Sequence, residues 1–164
     1  MKTSLWRWLA VAAAIIVADR LTKVWVLAAF RPGEQRVVTD FFNLTLAFNP
    51  GAAFSFLAGA DGWQRWLFTA IAIAASAAII WMLKRGGNTS YSLGLTLILG
   101  GALGNLWDRL TIGNVVDFLL FHYQNWAWPA FNVADSAITC GAALLIFDSF
   151  RTRHGNEGAN DAKY

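Results

Sequence analysis

Four runs of mostly apolar residues, at about 5–29, 66–83, 91–107 and 130–150, limit what this chain can fold into. Each approaches or reaches the roughly 20 residues that an α-helix needs to cross a hydrocarbon core about 30 Å thick. Hydrophobic residues make up 57% of the 164, and nine are Trp, more apolar surface than one ordinary soluble core holds. The expected fold is an all-α membrane protein with four transmembrane helices and a single domain spanning 1–164.

An even number of spans puts both termini on one side. Lys2, Arg7, Lys84, Arg85, Arg151, Arg153 and Lys163 all fall on that side, whereas the opposite loops hold chiefly Arg31, Arg36 and Arg65. The excess marks the cytoplasm, so both termini and a mobile polar tail at 152–164 are expected there. The loop at about 30–65 and the segment at 110–129 are expected outside. The net charge of +3 is then an orientation signal, and no basic cluster with interleaved aromatics points to nucleic acid. A cleaved signal peptide over residues 1–18 is the rival reading of the N-terminus; hydrophobicity resuming from Val24 to Phe30 favours an uncleaved helix.

Smaller features refine this picture. The lone Cys140 rules out an internal disulfide and is expected as a small packing residue in helix 4. Ala70 to Ala78 in helix 2, and Gly100 and Gly104 in helix 3, permit close helix approach. In the outer loop Leu44, Leu46 and Phe48 alternate with Asn43, Thr45 and Ala47, the period of a half-buried strand, so a small extracytoplasmic β-sheet is expected between helices 1 and 2. Phe41, Phe42, Phe48, Phe54, Phe56, Trp63 and Trp66 would rest that sheet at the membrane surface. Phe118 to Phe121 read as either a short interfacial helix or a strand.

The polar residues within this apolar sequence converge at one depth. Asp19 and Lys23 lie past the midpoint of helix 1, Asn105, Asp108 and Arg109 close helix 3, Asn132 and Asp135 open helix 4, and Asp117 lies in the connection between those two. Asp19 with Lys23 and Asn105 with Arg109 are i,i+4 pairs, and Asn132 with Asp135 is an i,i+3 pair, so each pair shares a helix face. A charge inside a bilayer costs about 2.5–3.5 kcal/mol even on lenient scales, and its presence points to a partner or a function. Asp19 and Lys23 read first as a structural ion pair. Arg109 reads as a partner of Asp108, a lipid-phosphate contact or an orienter of the site. For Asp117 and Asp135 the bland alternative is a helix cap or a solvated loop; otherwise they are two acids that share a proton.

Other chemistries lack their residues. There is no His-Glu-x-x-His, no cysteine pair for zinc and no Gly-rich phosphate loop, and His122 and His154 have no evident Ser or Cys partner. A proton relay through Asp19, Asp117 and Asp135 would need polar residues through the membrane depth, whereas helix 2 offers only Thr69 and Ser76 between Leu67 and Leu83. A non-enzymatic lipoprotein-binding scaffold is the third reading.

At these residues the sequence resembles the lipoprotein signal peptidases, or signal peptidase II. The resemblance is carried by Asp19-Arg20-Leu21-Thr22-Lys23, by Asn49-Pro50-Gly51-Ala52-Ala53-Phe54, by Gly101-Ala102-Leu103-Gly104-Asn105-Leu106-Trp107-Asp108-Arg109, and by the stretches Asn114 to Phe118 and Phe131 to Ser136. It implies an aspartic endopeptidase of the bacterial inner membrane. That enzyme removes the signal peptide from diacylglyceryl-modified prolipoproteins just before the lipid-bearing cysteine, without metal or cofactor, and is inhibited by globomycin-type cyclic peptides. It implies that Asp117 and Asp135 are the catalytic pair, that Asn49, Gly51, Asn105, Arg109 and Asn132 line the pocket, and that Asp19 and Lys23 support it. Membrane lipid and prolipoprotein are the expected partners of a monomeric chain.

Overall fold

The computed structural model describes residues 4–51 and 62–161, the side chains of 152–161 excepted. Ala52, Ala53, Phe54 and Phe56 lie outside the described residues, as do the side chains of the tail. The elements run α1 (Leu5–Ala29), β1 (Gln35–Thr39), β2 (Phe42–Asn49), α2 (Trp63–Arg85), α3 (Thr89–Thr111), β3 (Val115–Tyr123), β4 (Trp126–Ala127) and α4 (Val133–Asp161). The apolar runs did locate the four helices: α1 has the expected bounds, and the other three have ends displaced by two residues or more. Of these, Trp63–Arg85 and Val133–Arg151 are long and apolar enough by themselves to cross a membrane.

Helix α3 is the central post, packed against α1, α2 and α4. Its glycines set how near the others come. A Cβ on Gly101 would stand 2.3 Å from the carbonyl oxygen of Ala134, and one on Gly104 would stand 2.8 Å from Asp19 Oδ2. Helix α4 therefore approaches α3 backbone to backbone at the level of the polar residues, while on the α1 side Gly104 leaves room for the Asp19 carboxylate. At the opposite end of the helices Ala12, Ile79, Leu83, Leu95 and Leu99 form a buried apolar cluster. There Asn88 caps α3 by accepting from Tyr91 N at 2.8 Å, while its amide donates to both carboxyl oxygens of Asp148 in α4 at 2.9 and 3.0 Å.

The β-sheet differs from expectation. It has four antiparallel strands in the order β1-β2-β3-β4, so half of it comes from the segment between α3 and α4 and not from the loop between α1 and α2. After Thr111 the backbone N–H groups of Ile112 and Gly113 both donate to Asp108 O, and Gly113, at φ +91°, turns the chain into β3. That conformation is open to glycine and strained for most other residues. Strand β3 reads as a nearly unbroken apolar run, its first four residues buried on both sides, and such a run lacks the alternation that betrays a strand. One side packs with Val26 and Phe30 of α1 and Leu46 of β2 through Val116 and Phe118. The β2–β3 register shifts between Leu44 and Ala47, which sets Ala47 opposite Asp117. Cys140 is exposed, contrary to its expected packing role, and borders an apolar groove of about 430 Å³ between α1 and α4.

Candidate active site

Asp117 is 2% exposed and sits within β3, so it is neither a helix cap nor part of a solvated loop. Its Oδ1 accepts from Asn132 Nδ2 at 2.7 Å and its Oδ2 from Asn49 Nδ2 at 3.2 Å. Asp135 lies in the first turn of α4, where the helix dipole favours negative charge, and its Oδ1 accepts from Asn105 Nδ2 at 2.7 Å. Three neutral amides from β2, α3 and the entrance of α4 thus hold two carboxyls without adding charge.

Asn132 links the two acids. Its Oδ1 accepts from Asp135 N at 2.9 Å, the N-cap bond expected of Asn three residues ahead, while its Nδ2 reaches Asp117, Val116 O at 3.2 Å and Asn105 Oδ1 at 3.3 Å. Asn49 folds its Oδ1 onto Gly51 N at 2.9 Å, and Gly51 O accepts from Arg109 Nη2 at 3.1 Å. Arg109 also donates to Asn105 O at 3.4 Å and lies with its guanidinium 5.4 Å from the ring of Phe68. Every residue expected at the site is therefore brought to one place, with Asp19 and Lys23 paired at 2.8 Å behind it.

The family model described as signal peptidase (SPase) II matches residues 11–151. The chain belongs to the signal peptidase II family. It is 56% identical over 149 residues to the lipoprotein signal peptidase of Burkholderia mallei strain SAVP1, covering 90% of each chain. With that of Paraburkholderia phytofirmans it shares 55% identity over 154 residues, covering 93% of this chain and 90% of the relative. Two solved structures resemble it at 29% identity, both described as bacterial membrane enzymes. One has a TM-score of 0.81 and covers 92% of this chain and 91% of its own; the other has a TM-score of 0.77 and covers 90% and 94%. Membership of the signal peptidase II family makes the chain a protease of a membrane-enzyme family.

Two further residues join this cluster. Asp108, one of the partners considered for Arg109, pairs with Lys23 Nζ at 2.9 Å and with Arg20, and accepts from Val116 N at 3.2 Å. Neighbours in sequence point about 100° apart on a helix, so Asp108 and Arg109 serve different partners. Arg20 lies within the Asp19–Lys23 motif, and its pairing across to Asp108 of α3 shows what it does.

Burial pushes the Asp117 carboxyl from its ordinary 3.8 up to about 7, and the charge of Asp135 adds to the rise. The hydrogen bonds from Asn49 and Asn132 and the charge of Lys23 oppose it. An acid that keeps its proton to neutral pH beside a second carboxyl is the arrangement that lets one donate a hydrogen bond while the other takes a proton.

Proposed function

We propose that this chain is an intramembrane aspartic endopeptidase that cleaves the signal peptide from diacylglyceryl-modified prolipoproteins, N-terminal to the lipidated cysteine. The pairing of Asp117 and Asp135 through shared amide partners carries the proposal. Asp117 holds the proton at rest. Ionised Asp135 takes a proton from a water that attacks the scissile carbonyl, while Asp117 donates a hydrogen bond to the carbonyl oxygen; the roles then reverse and the leaving amine is protonated. Arg109, Asn49 and Gly51 border the place where the peptide backbone would lie, and no cofactor is needed.

The four helices span the bacterial inner membrane with both termini in the cytoplasm. Helices α1 and α3 carry Asp19, Arg20, Lys23, Asn105, Asp108 and Arg109 at one depth within otherwise apolar sequence. The site then faces the outer side, where the cleavage point of a membrane-spanning signal peptide emerges and its diacylglyceryl chains remain in lipid. Tyr123, Trp126 and Trp128 are exposed on the β3–β4 hairpin just ahead of α4, and they suit the headgroup layer. A transmembrane relay is disfavoured, since Ala12, Ile79, Leu83, Leu95 and Leu99 close the bundle on the inner side. Globomycin-type cyclic peptides would compete for the same site.

The proposal is tested with the purified chain in lipid nanodiscs. A diacylglyceryl-modified prolipoprotein is expected to yield a mature product beginning at the lipidated cysteine by mass spectrometry, and its unmodified precursor none; equal cleavage of both would overturn the substrate assignment. The pH dependence carries the sign of the Asp117 shift. Because Asp117 must be protonated, kcat/KM should fall as pH rises through about 7. The macroscopic value belongs to the pair, so the limb reports the two acids together. Activity flat from pH 6 to pH 9 would contradict a working proton on Asp117.

A further inference from the structure

The two acids are held a second time, from behind, by a charge cluster whose layout repeats. Asp19 Oδ1 accepts from Ala134 N at 3.0 Å, and Ala134 immediately precedes Asp135. Asp108 Oδ2 accepts from Val116 N at 3.2 Å, and Val116 immediately precedes Asp117. One carboxylate therefore grips the peptide N–H just ahead of each acid. Lys23 Nζ joins the two, at 2.8 Å from Asp19 Oδ2 and 2.9 Å from Asp108 Oδ2, and spends its third proton on Asn105 Oδ1 at 3.0 Å, the amide that holds Asp135. Lys23, Asp19 and Asp108 are all fully buried.

We infer that Lys23 is a positioning residue that sets the separation and aim of Asp117 and Asp135 by drawing Asp19 and Asp108 onto one ammonium. The inference rests on reading Asp117 and Asp135 as the acting pair. Arg20, part exposed, completes the cluster by pairing with the other oxygen of Asp108, its guanidinium 5.7 Å from the Trp107 ring, so two cations balance two anions. Such a cluster is weak as a source of stability, because well-packed apolar residues often replace buried ion pairs without loss. Its geometry gives it another use. The N–H of Ala134 is one of the orphan donors at the start of α4, and that of Val116 lies in β3, so one ammonium fixes a helix end and a strand relative to each other. The charged groups around Asp117 among the described residues are Lys23, Asp19 and Arg20 of α1, Asp108 and Arg109 of α3, and Asp135 of α4. Lys23 acts on it both by position and by charge.

The test compares wild type, Lys23→Met and Asp108→Asn as full chains in nanodiscs, by kcat, KM and the alkaline limb of kcat/KM. Displacing a reacting group by about 1 Å costs about 10²-fold in rate. Both variants should therefore lose about that much in kcat while KM stays within about threefold, since substrate still binds. The limb should move in opposite directions: to higher pH in Lys23→Met, where Asp117 loses a cation, and to lower pH in Asp108→Asn, where an anion is lost. A merely structural cluster would reduce the amount of folded enzyme and leave the pH profile in place. Should Lys23→Met fail to fold, the isosteric Asp108→Asn decides. Wild-type kcat and an unmoved limb in folded Asp108→Asn overturn the inference while Asp117→Asn and Asp135→Asn, run beside it, remain inactive. Activity in either of those overturns the acid pair itself, and with it the hub.

Discussion

Replacing either Asp117 or Asp135 with Asn is expected to lower kcat for prolipoprotein cleavage by about 10³-fold or more while substrate still binds. A positioned acid or base contributes about 10²–10⁴-fold, and in a pair that passes one proton the loss of either member stops the exchange. The Asp117 variant should also be no less stable than wild type above neutral pH. Native Asp117 holds its proton to about 7, whereas the unfolded chain releases it near 3.8. Its contribution is full below 3.8 and is lost as pH rises through 7, amounting to about 4 kcal/mol of penalty on the alkaline side. Asparagine removes that penalty. It brings a smaller cost, because both Asp117 oxygens accept from amide nitrogens, so an NH₂ in place of one oxygen forfeits a bond and leaves a donor unmet, about 1–3 kcal/mol. Thermal unfolding at pH 8 beside the cleavage assay checks both halves. Cleavage retained in either folded variant would end the acid-pair reading and return a binding scaffold or a relay to the front.

The residues of this site were legible because charge in apolar sequence is costly wherever it stands, and Asp19, Lys23, Asn105, Arg109, Asn132 and Asp135 are spaced so that each pair shares a helix face. Their convergence needed only the direction of each span. Partnership was harder to read. Asp108 follows Asn105 by three residues and precedes Arg109, and nothing in one sequence says that it turns toward α1. The strand carrying Asp117 was obscure for a different reason: Val116 and Phe118 pack against α1, and on the other side Val115, Leu119 and Phe121 flanking Asp117 are apolar too, so apolar and polar positions do not alternate along it. The β2–β3 pairing joins segments about 70 residues apart, and local pattern carries no record of it. Cys140 was misjudged because a small residue within a helix reads the same whether it packs against protein or faces outward.

Asn132→Ala should cost turnover far more than stability, by about 10²-fold in kcat against about 1–2 kcal/mol of folding free energy. The stability term is the loss of an N-cap at α4, where substitution of Asn by Ala typically costs about 1 kcal/mol. Helix α4 is long and retains Asp19 at the next free N–H, so it still forms. The catalytic term is larger because one amide aims both acids: its Oδ1 fixes Asp135 N at 2.9 Å and its Nδ2 fixes Asp117 Oδ1 at 2.7 Å. Removal frees Asp117 to turn toward Asn49 alone and takes away a bond that opposes its pKa rise. The alkaline limb of kcat/KM should then move to higher pH in the variant. Asn132→Ser separates the two functions of the side chain. Serine still caps α4 but is too short to reach Asp117 and adds no charge, so stability should return toward wild type while activity does not. Equal rescue of both would reduce Asn132 to a helix cap and leave the aim of Asp117 to Asn49 and the Asp108 arm.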